Sequence, residues 1–193
     1  MTTDPTIRTF LCIEIPDQIR GRIAELQTSL KHLDARVSWV KPENIHLTLK
    51  FLGGVPGSRI ESLCQAVSRA ANSSSPFAVE INGTGCFPSP RNPRVLWVGV
   101  SNLPKELLRL HQEIEDQLAK EGFPRDTKRF APHLTIGRIR SPEGAAGLAQ
   151  KLIETGFDSG FAPASAVVVM RSDLHPTGSI YTPQAVIELP KRG

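Results

Sequence analysis

Two short segments carry residue types suited to chemistry: His46-Leu47-Thr48 and His133-Leu134-Thr135. Side chains at i and i+2 of a strand point to one face. Each segment, if extended, therefore presents an imidazole beside a hydroxyl, while Leu47 and Leu49, or Leu134 and Ile136, face an apolar layer. Histidine titrates near neutral pH, so one neutral ring can take a proton while a second, charged ring gives one. Neighbouring hydroxyls can donate to oxygens on which negative charge gathers. A strained cyclic phosphodiester needs no more than an attacking water, a protonated leaving oxygen and held non-bridging oxygens. A single His-x-Thr is commonplace on strands, so the weight rests on its recurrence in the second half of the chain.

Paired histidines also serve zinc. Here no third or fourth ligand follows at a metal-binding spacing, so no metal is expected. The three cysteines, Cys12, Cys64 and Cys86, are odd in number, widely spaced and lack a Cys-x-x-Cys pair, so they suggest neither a disulfide framework nor a zinc site. Cys12 and Cys64 lie in apolar stretches and read as core thiols. The formal net charge of +4 suits a polyanionic ligand without being diagnostic of one.

Positioning these residues requires strands and helices in alternation. Ile7 to Ile15 alternates and is rich in β-branched residues, so a strand is expected there. Ile19, Ile23, Leu26, Leu30 and Leu33 then form one apolar stripe of a helix opened by Pro16-Asp17. Short strands are expected at Val37–Val40 and at 46–52, the latter closed by Gly53-Gly54. Ser58 to Glu61 has the spacing of a capping box before a second helix. Strands are expected at 77–81 and 95–100, with the Pro- and Gly-rich segment 83–93 read as a long loop. A third helix opens at Asn102-Leu103-Pro104 and ends at Gly122. The second motif strand spans 133–139, and a fourth helix runs from Ser141-Pro142-Glu143 to about Gly156. Strands at 166–170 and 185–189 finish the chain, separated by the turn 175–178. Short alternating strands favour antiparallel sheets with one open face. The expected fold class is α+β, two pseudo-symmetric lobes of antiparallel sheet with outer helices, forming a single bilobal domain over 1–193. No glycine-rich nucleotide loop occurs. No apolar run approaches the roughly 20 residues that span a bilayer, and the first residues lack a signal-peptide layout, so a cytoplasmic protein without a membrane partner is expected.

The segment Trp39 to Gly53, which contains Lys41-Pro42-Glu43-Asn44-Ile45-His46-Leu47-Thr48-Leu49-Lys50-Phe51, resembles the first signature of the 2H phosphoesterases. Pro132-His133-Leu134-Thr135-Ile136-Gly137-Arg138 resembles the second. The resemblance spans nearly the whole chain, through Arg8-Thr9-Phe10, Gly83 to Pro88, Val95 to Gly99 and Gly178-Ser179-Ile180-Tyr181. It is to the bacterial and archaeal RNA 2′,3′-cyclic phosphodiesterases, also called 2′-5′ RNA ligases. It implies two lobes whose motifs meet in a central cleft, with no cofactor. It also implies that His46 is the proton donor to the leaving 3′ oxygen and His133 the acceptor that activates water. Thr48 and Thr135 would hold the phosphate. RNA ends or nucleotides bearing a 2′,3′-cyclic phosphate would be the partners of a monomeric enzyme, and joining through a 2′-5′ linkage would be the reverse reaction.

Further substrate contacts are less determined. Lys50 shares the face of His46 and Thr48 by strict alternation, where it would attract an anion. Arg138 falls on the face opposite His133 unless Gly137 permits a bulge. Phe10, Phe51 and Tyr181 are candidates to stack a base or to pack in the core. Two other functions remain open from the residues: a non-catalytic binder of RNA ends or nucleotides, and a phosphodiesterase for a small cyclic nucleotide.

Overall fold

The structure, a computed structural model, describes residues 4–176 and 178–191. Thr177 of the expected 175–178 turn lies outside the described residues. The strands are β1 (Thr6–Glu14), β2 (Val37–Trp39), β3 (His46–Pro56), β4 (Phe77–Ser89), β5 (Asn92–Ser101), β6 (His133–Ile139), β7 (Asp158–Ala164), β8 (Ala166–Asp173) and β9 (Ile180–Glu188). The helices are α1 (Asp17–Leu30), α2 (Ile60–Ala71), α3 (Lys105–Lys120) and α4 (Ala145–Thr155). All pairings are antiparallel, in the order β7-β4-β5-β6-β3-β1-β8-β9, with β2 added to β6.

The α+β arrangement has two related halves whose lobes exchange strands. One lobe is β3-β1-β8-β9 and the other β6-β5-β4-β7, joined where Leu47 pairs with Leu134. Thus β4, from the first half of the chain, lies in the second lobe, while β8 and β9 complete the first. The helices pack in pairs drawn from the two halves of the chain, α2 on α3 and α1 on α4; α1 and α4 lie against strands of the second lobe, and α2 lies against β8 and β9 of the first. Their apolar stripes bury Ile23, Leu63, Leu110, Ile114 and Leu148 against Leu47, Leu96, Leu134 and Ile136, all 1% exposed or less. At roughly 1.5–3 kcal/mol for each large aliphatic side chain, this layer is the chief force holding the two motif strands side by side.

Several local expectations give way to longer-range pairing. Segment 83–93 is a hairpin between β4 and β5, because its glycines serve packing. A Cβ on Gly85 would overlap the Trp97 ring at Cζ2, so glycine there lets the indole lie across the strand. Gly53-Gly54 does not end β3; Gly53 takes φ +69°, and both residues pair with β1. The capping box does not form. Ser58 Oγ donates instead to Asp4 Oδ2 at 2.6 Å, and α2 begins after a short 3₁₀ turn. Strand β7 escaped the periodicity because it follows Gly156 as a short edge strand. No helix among the described residues is long and apolar enough to cross a membrane.

Candidate active site

The register of β3 against β6 determines how the two motifs meet. Leu47 opposite Leu134 in an antiparallel pair sets His46 across from Thr135 and Thr48 across from His133. Four functional side chains thus form a crossed square on the face opposite the leucines. Directly opposed residues on such a pair stand about 4.5–5.5 Å apart at Cβ, and diagonal ones about 7–8 Å. The histidines occupy one diagonal, leaving space between their rings for a phosphate group.

Each ring is oriented by its own approach segment. His46 Nδ1 donates to the Asn44 carbonyl at 2.8 Å and His133 Nδ1 to the Ala131 carbonyl at 2.7 Å. A carbonyl only accepts, so Nδ1 carries hydrogen in both rings, and the Nε2 atoms are left for proton exchange. Phe10 stacks on His46 at 4.6 Å, and Tyr181 meets it edge-on at 5.4 Å. Phe87 meets His133 edge-on at 5.0 Å. Asn44 Nδ2 also donates to the Ser179 carbonyl at 2.8 Å, tying the His46 approach to the β8–β9 connection.

Burial governs the electrostatics. Desolvation pushes the His46 pKa from 6.5 down to about 4, against the Asn44 hydrogen bond, while Arg20 lowers it further. His133 is lowered too, first by desolvation and then by Arg138, with the Ala131 bond opposing. Both rings are therefore neutral near pH 7 until a nearby anion favours their charged forms.

A cavity of 460 Å³ opens between the lobes. His46, Thr48, Phe51, Thr135, Arg138 and Tyr181 are among its walls, together with Arg8 and Phe10. His133 is not among its walls; it lines a separate hollow with Phe87 and Trp97. Alternation fails twice here, at matching places. In β3, Cys12 pairs with Thr48 and Leu11 with Lys50, leaving Leu49 unpaired as a bulge. In β6, Trp97 pairs with Thr135 and Leu96 with Gly137, leaving Ile136 unpaired. Each bulge inverts the residues that follow it. Arg138 is thereby turned onto the cleft, as the glycine allowed.

The same inversion corrects the placement of Lys50. It does not share the cleft with His46. It is 2% exposed on the helix side, donating to Glu115 Oε1 at 2.5 Å and Asp126 Oδ1 at 3.2 Å. Its place on the cleft face is taken by Phe51, exposed and covered by the Arg8 guanidinium at 4.5 Å. Phe10 is buried beneath His46, and Tyr181 packs edge-on against it at 5.0 Å. His111, Glu115 and Asp126 offer ligand atoms within 4.8 Å of one another, and the Lys50 ammonium is ion-paired with both carboxylates there. Arg8, Asn44 and Phe87 were missed as site residues. All three lay within segments that match the family pattern, which was the available signal.

Gly137 stands where Lys50 stands in the other half. A Cβ there would lie 2.9 Å from Val37 Cγ1 and 3.2 Å from Trp39 Cε3. Gly137→Val should therefore destabilise the protein by about 1–3 kcal/mol through overpacking. An unchanged denaturant midpoint would contradict this account of the β6 bulge.

The family described as LigT like Phosphoesterase matches the chain twice, over residues 13–97 and 98–181. These two matches are the sequence halves whose motifs face each other across β3 and β6. The chain belongs to this family of 2H phosphoesterases. Among its relatives, the RNA 2′,3′-cyclic phosphodiesterase of Methanothermobacter thermautotrophicus is 36% identical over 95% of this chain and 99% of its own length. That of Thermotoga maritima is 34% identical over 91% of each. The crystal structure of TT0787 of Thermus thermophilus superposes with a TM-score of 0.82 at 26% identity, covering 96% of this chain and all of that one.

Proposed function

We propose that this phosphodiesterase opens a 2′,3′-cyclic phosphate at an RNA end to a 2′-phosphomonoester. The observation that carries the reading is the crossed square: two Nε2 atoms freed by their Nδ1 bonds, with a threonine opposite each. Relatives named RNA 2′,3′-cyclic phosphodiesterase over nearly their full length support the same substrate.

In the proposed reaction the phosphate lies between the rings, its non-bridging oxygens accepting from the Thr48 and Thr135 hydroxyls. Arg138 faces the same anion. Water attacks phosphorus from the His133 side and gives its proton to His133 Nε2. The bond to the 3′ oxygen breaks opposite, and that oxygen takes a proton from His46 Nε2. In-line attack and leaving place the two proton transfers on opposite sides, which is what the diagonal provides. The release of ring strain drives the step. With a 5′-hydroxyl in place of water as the nucleophile, the same arrangement would join ends through a 2′-5′ linkage. The site geometry favours a single 1–193 unit, since each lobe needs strands from both halves.

The direct test is a 2′,3′-cyclic-phosphate-ended oligoribonucleotide incubated with the protein in EDTA, with the product identified. A 2′-phosphate is expected. Unchanged substrate, or turnover only after metal is added, would overturn the reading.

The pH profile adds a second check. kcat/KM follows the fraction of free protein with His46 charged and His133 neutral. That fraction falls at low pH as His133 gains a proton, and at high pH as His46 loses one. With His46 near 4 and His133 below its usual 6.5, the product is largest on the acid side of 6.5. Above that, kcat/KM should fall about tenfold per pH unit. The kcat profile should sit higher, because bound phosphate favours both charged rings. A kcat/KM that climbs through pH 8 would contradict these environments.

A further inference from the structure

Each histidine has a second hollow on its far side, and the two are unlike. Beyond His46 lies a small cavity of 190 Å³ with Glu14 and Glu43 in its wall beside Arg20. Beyond His133 lies one of 390 Å³, within the range of ligand sites, with Phe87, Trp97, Leu103, Phe130 and Arg129 in its wall. The first repels a nucleic acid through its carboxylates. The second lacks a carboxylate and offers aromatic faces, an apolar side chain 39% exposed at its rim, and an exposed guanidinium. Phe87 and Trp97 both lie against the His133 ring, at 5.0 and 6.5 Å between centroids. Water as sole nucleophile has no use for an apolar hollow at the base that activates it.

In-line displacement fixes what such a hollow can receive. The attacking hydroxyl enters opposite the leaving 3′ oxygen, so any group it bears extends past His133. Every nucleobase has a face that stacks on aromatic rings or on an arginine plane. We propose that the hollow beyond His133 is the subsite for the base of a second ribonucleotide, whose 5′-hydroxyl replaces water. The assignment rests on the reading of His133 as the proton acceptor. The P–O5′ bond forms as the P–O3′ bond breaks. The 5′-hydroxyl proton passes to His133 Nε2, and O3′ takes the His46 proton, leaving a 2′-5′ diester. The hollow thus divides turnover between water and an acceptor nucleotide, and favours purines for their larger stacking face.

The test supplies a 2′,3′-cyclic-phosphate dinucleotide with excess 5′-hydroxyl dinucleotide, beginning in adenosine or uridine, in EDTA. Joined and hydrolysed products are then counted. The unaltered protein should form joined product, more of it with adenosine. Leu103→Trp, which fills the hollow from its rim, and Arg129→Ala should each lower the joined-to-hydrolysed ratio, by about tenfold for the filled hollow. Hydrolysis without acceptor should stay within about twofold for both, as neither residue touches the phosphate. Absence of joined product, or a ratio that both variants leave unchanged, overturns the subsite while leaving the hydrolase reading intact. Failure of the unaltered protein to hydrolyse the cyclic phosphate at all overturns both.

Discussion

Replacing His46 or His133 by alanine should each lower cyclic-phosphate opening by about 10²–10⁴-fold, the usual worth of a positioned acid or base. Folding should survive, because removing a desolvated imidazole from His46 removes a group that resists protonation where it stands. The double variant should fall little further than the worse single one, since an acid and a base acting in one step are not additive. The two roles can be separated by the leaving group. A substrate with sulfur in place of the bridging 3′ oxygen expels a thiolate that needs no proton. That substrate should restore much of the activity of His46→Ala and little of His133→Ala. Rescue of His133→Ala instead would exchange the roles, and a full rate in either single variant with the normal substrate would remove the histidines from the chemistry.

How much of this was legible in the sequence depends on whether the signal was local. The motif faces were legible: His46 with Thr48 and His133 with Thr135 follow from alternation, and their strands were expected within a few residues. The helices were legible from their apolar stripes. The fates of Lys50 and Arg138 were not, although they occupy nearly matching places in the two motifs. Each lies just beyond a bulge, and a bulge is set by the partner strand: Leu11-Cys12 skips Leu49, and Leu96-Trp97 skips Ile136. Nothing within either motif encodes that skip, apart from the permissive Gly137. Its consequence reaches across the sheet, because Gln27 Nε2 of α1 donates to the Ile136 carbonyl at 2.9 Å, and the Val40 amide donates to it at 3.0 Å. The β4–β5 hairpin was hidden for a related reason. Its glycines read as loop, yet Gly85 exists to admit an indole from the neighbouring strand. Likewise, a histidine's tautomer could not be read from His-x-Thr, since the acceptors precede the motif, Asn44 at the end of a 3₁₀ turn and Ala131 on irregular backbone.

The residue misplaced by alternation yields the largest expected change in stability. Lys50 and Glu115 are 2% and 6% exposed, and Asp126 completes the group from the chain leading to β6. Glu115 also accepts from the Asp126 amide at 3.1 Å, so it neutralises the ammonium and fastens the segment that follows α3. Glu115→Ala would leave a buried ammonium with one half-exposed carboxylate. Breaking a buried pair in this way costs about 3–5 kcal/mol, and the remaining Asp126 contact places the expectation at the lower end. For a chain of this size that is a loss of roughly 6–12 °C in Tm. Replacing both partners by apolar residues of similar volume, Lys50→Met with Glu115→Met, should recover most of it, because neither charge is then desolvated. Thermal unfolding of Lys50→Met, Glu115→Met and the double forms the cycle that measures the coupling. If Glu115→Ala melts within about 2 °C of the parent, the ammonium is solvated and this ion pair does not hold the segment that carries Ala131 to His133. If instead the single variant melts early and the double recovers, the first motif's strand helps to position the second motif's histidine through a charge buried on the far side of the sheet.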